Sequence, residues 1–222
     1  MRLIKNFFLL LAIFYSFSYA GERIAIVTKI IGKAEYERGK NSSKALAKGF
    51  IIENGDRIST PKGGFVALIF IDDKSALKIR EKTKITINGK KSSRKISKKI
   101  DLSSGTVRAQ VENNRDFIVQ TSVSVASVKG TDFWVISDNK IGDSVIGLEG
   151  IVSLSNRKSG EKIDIKAGIT GFSTKDGSLQ SFKSDPKNTP IDLTQNDNKD
   201  KQLEIIFKDS SGKEKKLIIE YK

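Results

Sequence analysis

From residue 23 onward, apolar and polar residues mostly alternate at a spacing of two. The clearest run is residues 117–135, where Phe117/Val119 and Val123/Val125 are followed by Ala126/Val128 and Phe133/Val135. Alternation at period two, with β-branched and aromatic residues, predicts strands with one buried face. Gly130-Thr131 interrupts the run where the backbone must turn or approach a neighbour closely. Residues 145–152 repeat the device as strand, Gly150, strand. Upstream, residues 23–30 and 32–37 predict two strands, and 48–53 a strand or short irregular segment leading into a turn at Asn54-Gly55-Asp56. Pro61 and Gly63-Gly64 make a second tight connection, and the continuous apolar run 65–71 predicts a strand buried on both faces. Residues 72–75 turn it into a strand over 76–79. Leu77, Ile79, Ile85 and Ile87 then point one way and Lys78, Arg80, Lys82 and Lys84 the other, until Asn88-Gly89 predicts a hairpin turn. Residues 90–99 hold one apolar residue, Ile96, among lysines, arginine and serines, and read as a mobile basic loop. Strands resume at 101–111.

About a dozen short strands, turns every 8–12 residues and no helix in the body predict an all-β domain of compact solenoid-like or sandwich-like form. No strict repeat period favours a regular long β-helix. After Phe182 the composition turns polar, and residues 183–202 read as linker. Residues 203–207 and 217–221 flank a turn at Asp209-Ser-Ser-Gly212 and predict a C-terminal β-hairpin. Two strands alone are marginally stable, so the hairpin is expected to pack on the domain or on something else.

The first twenty residues set the compartment. Arg2 and Lys5 precede the apolar run 7–15, and Ser18-Tyr-Ala20 supplies small residues before Gly21. This is the plan of a secretory signal peptide over residues 1–20, leaving a β domain over 21–182. The rival reading is an uncleaved anchor, for which the run falls short of the roughly twenty residues a spanning helix needs. Either way the body is expected to be exported, to the periplasm or cell envelope, and with the leader cleaved no membrane span is expected.

Forty Lys+Arg against twenty-six Asp+Glu give a net charge of +14. Such a surface favours anionic neighbours or guards strand edges against aggregation. Export argues against nucleic acid, leaving an envelope protein or an anionic envelope polymer as the expected partner. The chain has no cysteine and no histidine. Disulfides, thiolate metal sites and the commonest general base are therefore absent, and neither enzymatic activity nor a cofactor is expected. Ser75-Ala-Leu-Lys78 matches Ser-x-x-Lys, but the catalytic form needs a helix start, and Ser75 falls at a strand entry. Asp72-Asp73 lacks the loop spacing of a calcium site and reads as turn acids. The candidate binding chemistry is a basic ribbon for an anion: Lys78, Arg80, Lys82, Lys84, Lys90, Lys91, Arg94 and Lys95, with Lys98 and Lys99 beside it. It lacks interleaved aromatics, so sugar or base stacking is not expected.

Several pieces, in order and at matching intervals, resemble the FecR domain family. They are Gly55-Asp56-x-Ile58-x-Thr60, Ala67-x-Ile69-x-Ile71-Asp72-x-x-Ser75-x-Leu77, Leu102-x-x-Gly105-x-Val107 and Phe117-x-Val119-x-Thr121. The most specific are Ala126-x-Val128-x-Gly130-Thr131-x-Phe133-x-Val135 and Val145-x-x-x-Glu149-Gly150-x-Val152. The resemblance covers about residues 24–175. It implies an all-β extracytoplasmic domain with no catalytic residues, of a kind found in membrane regulators of iron uptake and in stand-alone envelope proteins. The chain has Asp72-Asp73-Lys74-Ser75 where the family usually has Asp-Gly-Ser, and Thr121-Ser122 where it has Thr-Pro. Only Met1–Asn6 precede the apolar run, so a cytoplasmic anti-sigma segment is not expected here. The reading is a non-enzymatic binding or assembly module of the envelope. The alternative is a signalling component that acts through a separate membrane partner.

Overall fold

The structure is a computed structural model and describes residues 21–92, 95–112, 116–128, 130–194, 201–208 and 214–221. The chain divides into two compact units, Met1–Asp185 and Pro186–Lys222. The first half of unit one contains β1 (Arg23–Ile31), β2 (Glu35–Glu37), β3 (Lys44–Ala45), β4 (Ile51–Glu53), β5 (Asp56–Thr60) and β6 (Phe65–Phe70). Next come β7 (Ala76–Ile79), β8 (Thr83–Ser92), the long β9 (Lys95–Val111), β10 (Phe117–Gln120) and β11 (Ser124–Val128). The unit closes with β12 (Thr131–Asp138), β13 (Gly142–Glu149), β14 (Ile151–Asn156), β15 (Lys162–Lys166), β16 (Ile169–Ser173) and β17 (Leu179–Lys183).

The strands form one continuous 17-stranded sheet that β9 divides into two layers. Its first part pairs with β8 and, in parallel, with β10; its last residues pair with β7 and β12. One layer runs β4–β1–β6–β7–β9–β12–β13–β16–β17. The other runs β3–β2–β5–β8–β9–β10–β11–β14–β15. Alternate residues of both layers, such as Leu68, Leu77 and Val107 on one and Ile87, Ile100 and Leu154 on the other, meet in a single core. Phe70 of β6 meets Phe117 of β10 edge-on at 5.7 Å, the geometry aromatic pairs prefer. The all-β expectation holds, and the sandwich-like form describes it. β9 changes layers near Gly105, whose φ of +104° and lack of a side chain let it pass the Thr83 backbone; an added Cβ would lie 2.5 Å from Thr83 Cα.

The structure corrects two expectations in the basic stretch. Asn88-Gly89 is not a turn: both residues lie within β8, which runs on to Ser92. Gly89 is needed there for clearance, since a Cβ would collide with the Ile24 side chain. Of the expected mobile basic loop, residues 90–92 and 95–99 are instead paired strand, with Lys90 opposite Ser97, Lys91 opposite Ile96 and Ser92 opposite Lys95. Ile96 and Lys98 both turn inward and are buried. The expected strand over 32–37 shortens to β2.

In unit two, a short 3-10 turn at Pro186–Asn188 is followed by β18 (Lys201–Lys208) and β19 (Glu214–Tyr221). These pair antiparallel from Lys201↔Tyr221 to Lys208↔Glu214, as expected for the C-terminal hairpin. The expected signal peptide, residues 1–20, and the expected turn at 209–212 lie outside the described residues. Among the described residues no helix is long and apolar enough to cross a membrane.

Candidate functional site

The predicted basic ribbon does not form one face. Leu77, Ile79, Ile85 and Ile87 do all point into the core. However, the chain crosses between layers after Arg80, turning at Lys82 with a φ of +55°. Lys78 therefore stands on the outside of one layer, opposite Ala67 and Arg108, while Lys84 stands on the outside of the other, opposite Ser59 and Ser104. Lys78 and Arg80 also have interaction partners of their own and are not free cations. Arg94 lies outside the described residues.

The structure does bring together Lys90, Lys91 and Lys95, all exposed at the end of the β8–β9 hairpin. Lys90, Lys95 and Lys99 share the outer face, because strand residues two apart project to the same side. Lys99 is tempered by Asp101 at 3.3 Å.

What holds this end in place was not read from the sequence. Among the described residues no strand pairs with the outer edge of β8 beyond Ile87, and side chains take over. Gly89 donates its N–H to Asn54 Oδ1 at 3.0 Å, and Lys91 donates its N–H to Glu22 Oε1 at 2.8 Å. On the β9 edge, Ile96 donates to Asp72 Oδ2 and Lys98 to the Asp116 carbonyl, both at 2.8 Å. The Lys98 side chain is fully buried, and its ammonium lies 2.8 Å from Asp72 Oδ1 and 2.6 Å from Asp73 Oδ2. It also sits 5.2 Å from the Phe70 ring centroid. A buried cation needs such partners, because dehydrating it costs several kcal/mol, on the order of what good pairing returns. Asp72-Asp73, expected to be solvated turn acids, are thus the seat of this lock. The alternation Ile96, Lys98, Ile100, Leu102 was the available sign that Lys98 faces inward.

Other carboxylates are committed to structure. Asp56 is fully buried and accepts from Arg38 Nε at 2.8 Å and Nη2 at 2.7 Å, and from the Glu53 N–H at 2.8 Å. The hydrogen bond that Arg38 donates to Asp56, with the charges of Asp56 and Glu53, raises the Arg38 pKa above its ordinary value against the effect of burial. Arg108 is similarly forked on Asp132 and lies over Trp134 at 5.7 Å. Asp143, fully buried, accepts from the hydroxyls of Thr121 and Ser124. The Ser75/Lys78 pair cannot act as a nucleophile and base. Ser75 is buried at the entry to β7 while Lys78 points outward, as residues three apart in an extended chain do.

Against known proteins, the model of the FecR protein family matches residues 56–153. No curated protein matches. Two crystal structures of candidate anti-sigma factors from Parabacteroides distasonis align with the chain. The first has 16% identity and a TM-score of 0.49, covering 59% of this chain and 61% of the other. The second has 13% identity and a TM-score of 0.37, covering 60% and 57%. The chain thus spans about three fifths of the length of each.

Proposed function

Because residues 56–153 of this chain match the FecR protein family model, we propose that the protein is an exported, non-enzymatic binding or assembly module of the cell envelope. In this reading the β8–β9 hairpin meets an anionic partner, an acidic envelope protein or polymer. The observation that supports it is the fastening of the hairpin on both edges, by Asn54 and Glu22 on one and Asp72 on the other. Lys90, Lys91 and Lys95 are therefore presented on an ordered projection, which lowers the ordering cost of binding. Replacing all three by serine should abolish retention on a lipopolysaccharide-coated or heparin-like resin and leave the melting temperature within about 2 °C, since exposed surface positions usually change stability little. Retention of the parent should fall steeply with salt, because exposed charges are screened within about 8 Å at physiological ionic strength. Unchanged retention of the variant would mean that the positive charge is diffuse and serves solubility.

The leader supports export, and cleavage after Ala20 is expected to give a chain beginning at Gly21. Intact mass of the exported protein checks this; a chain that keeps residues 1–20 and pellets with membranes contradicts it. The family match also supports a second reading, a periplasmic signalling component acting through a separate membrane partner. The two separate on one result: deleting the protein shifts transcription of envelope genes under the signalling reading, and leaves it unchanged under the module reading.

A further inference from the structure

The most family-specific pieces of the sequence, Gly130-Thr131 and Glu149-Gly150, come together in the fold. An added Cβ at Gly150 would lie 2.5 Å from the Gly130 carbonyl oxygen. Beside this contact a cleft of about 350 Å³ opens, lined by Gln110, Glu112, Thr131, Asp132 and Glu149 among others. Among the described residues its lining carries acids and no base, in a chain of net charge +14. Asp132 is already neutralised by Arg108. Glu112 and Glu149 are exposed, and among the described residues no basic side chain pairs with either. Thr131 gives an independent sign. It is only 4% exposed, and its hydroxyl has no hydrogen-bond partner. A buried hydroxyl without a partner is unfavourable, so a donor seated in the cleft would answer a need the fold leaves open.

The lining suits an organic cation better than a metal ion. Divalent ions need several oxygens converging at about 2.0–2.6 Å, and among the described residues no three acids are placed to do so. The volume sits at the small end of ligand clefts, which run roughly 300–1,000 Å³, and suits a side chain. Two carboxylates, an amide oxygen and a hydroxyl spread around the walls match the planar five-donor fork of a guanidinium better than the compact ammonium of lysine. We propose that this cleft seats an arginine side chain of a partner protein. The proposal is independent of the basic hairpin, whose partner is anionic.

The test is an NMR titration of the exported chain with a blocked Gly-Arg-Gly peptide, alongside its lysine and citrulline counterparts. Shifts are expected at residues 110–112, 130–132 and 149 with the arginine peptide, weaker with lysine and absent with citrulline, which keeps the shape and loses the charge. Glu112→Gln with Glu149→Gln should weaken binding by about tenfold or more, the usual scale for hydrogen bonds to charged groups. Thr131→Val should also weaken binding while the melting temperature stays or rises, because it removes a hydroxyl that nothing in the fold engages. Equal binding of citrulline, an unchanged affinity in the double variant, or no shifts up to about 20 mM peptide would overturn the proposal. Lysine binding as tightly as arginine would overturn the guanidinium assignment. A marked loss of stability in Thr131→Val would remove the hydroxyl from the site.

Discussion

Replacing Lys98 by methionine is expected to cost about 3–5 kcal/mol of folding stability, the range for removing one partner of a buried ion pair. The aliphatic stem would be replaced, so the loss is electrostatic. Asp72 and Asp73, with side chains 6% and 19% exposed, would be left without their cation. A control separates charge from packing. Adding Asp72→Asn and Asp73→Asn to Lys98→Met should recover much of the loss, because a neutral replacement of a whole buried group is often tolerated. Urea melts of the three proteins decide it. If Lys98→Met melts with the parent, the lock contributes nothing; if the triple variant is less stable than the single, the acids have another role.

The second large effect is expected at Gly150. Its φ is +74°, a region in which a side chain is strained, and a Cβ there would meet the Gly130 carbonyl oxygen at 2.5 Å. Strain and overpacking, each about 1–3 kcal/mol, should together put Gly150→Ala at about 3 kcal/mol or more. Gly130 is the internal comparison. Its φ is +77°, but its nearest neighbour, the Glu112 carbonyl oxygen, is 3.4 Å from the added Cβ. Gly130→Ala should therefore show the conformational cost alone, about 1–3 kcal/mol, and Gly130→Val at least that much. Denaturant melts in which the two alanine variants coincide would mean that the close approach at Gly150 relaxes freely.

Much of the sandwich was legible because period-two alternation reports which face of a strand is buried. β6, β7, β10, β11 and β12 lie close to where that pattern places them, and Gly130, between two core strands, turns with the positive φ that such a break suggests. The motif positions are intelligible too: Asp56 pairs with Arg38, Thr121 bonds Asp143, and Gly150 clears the Gly130 backbone. Composition is a poor guide to the basic stretch. The stretch 90–99 has too few apolar residues to suggest a strand, yet residues 90–92 and 95–99 belong to strands held by side-chain caps from Glu22, Asn54 and Asp72, which are distant in sequence. Alternation also does not specify which of two layers a strand joins, so it suggests one face for Lys78 and Lys84, which stand on two. The acidic cleft was hidden for a related reason. Glu149 and Thr131 read as turn and strand residues, and only the pairing of β12 with β9 and β13 brings them beside Glu112.

Amide hydrogen exchange, followed residue by residue in the free protein and again with a bound polyanion, tests most directly whether the cationic hairpin is formed before it meets a partner. The N–H groups of Gly89, Lys91, Ile96 and Lys98 are each held by a side chain or carbonyl outside the hairpin. All four are expected to exchange slowly in the free protein and change little on binding, with protection at Ile96 and Lys98 lost in Lys98→Met. Fast exchange at these amides in the free protein, slowed only when the polyanion binds, would contradict this and return residues 90–99 to a loop that orders on its partner.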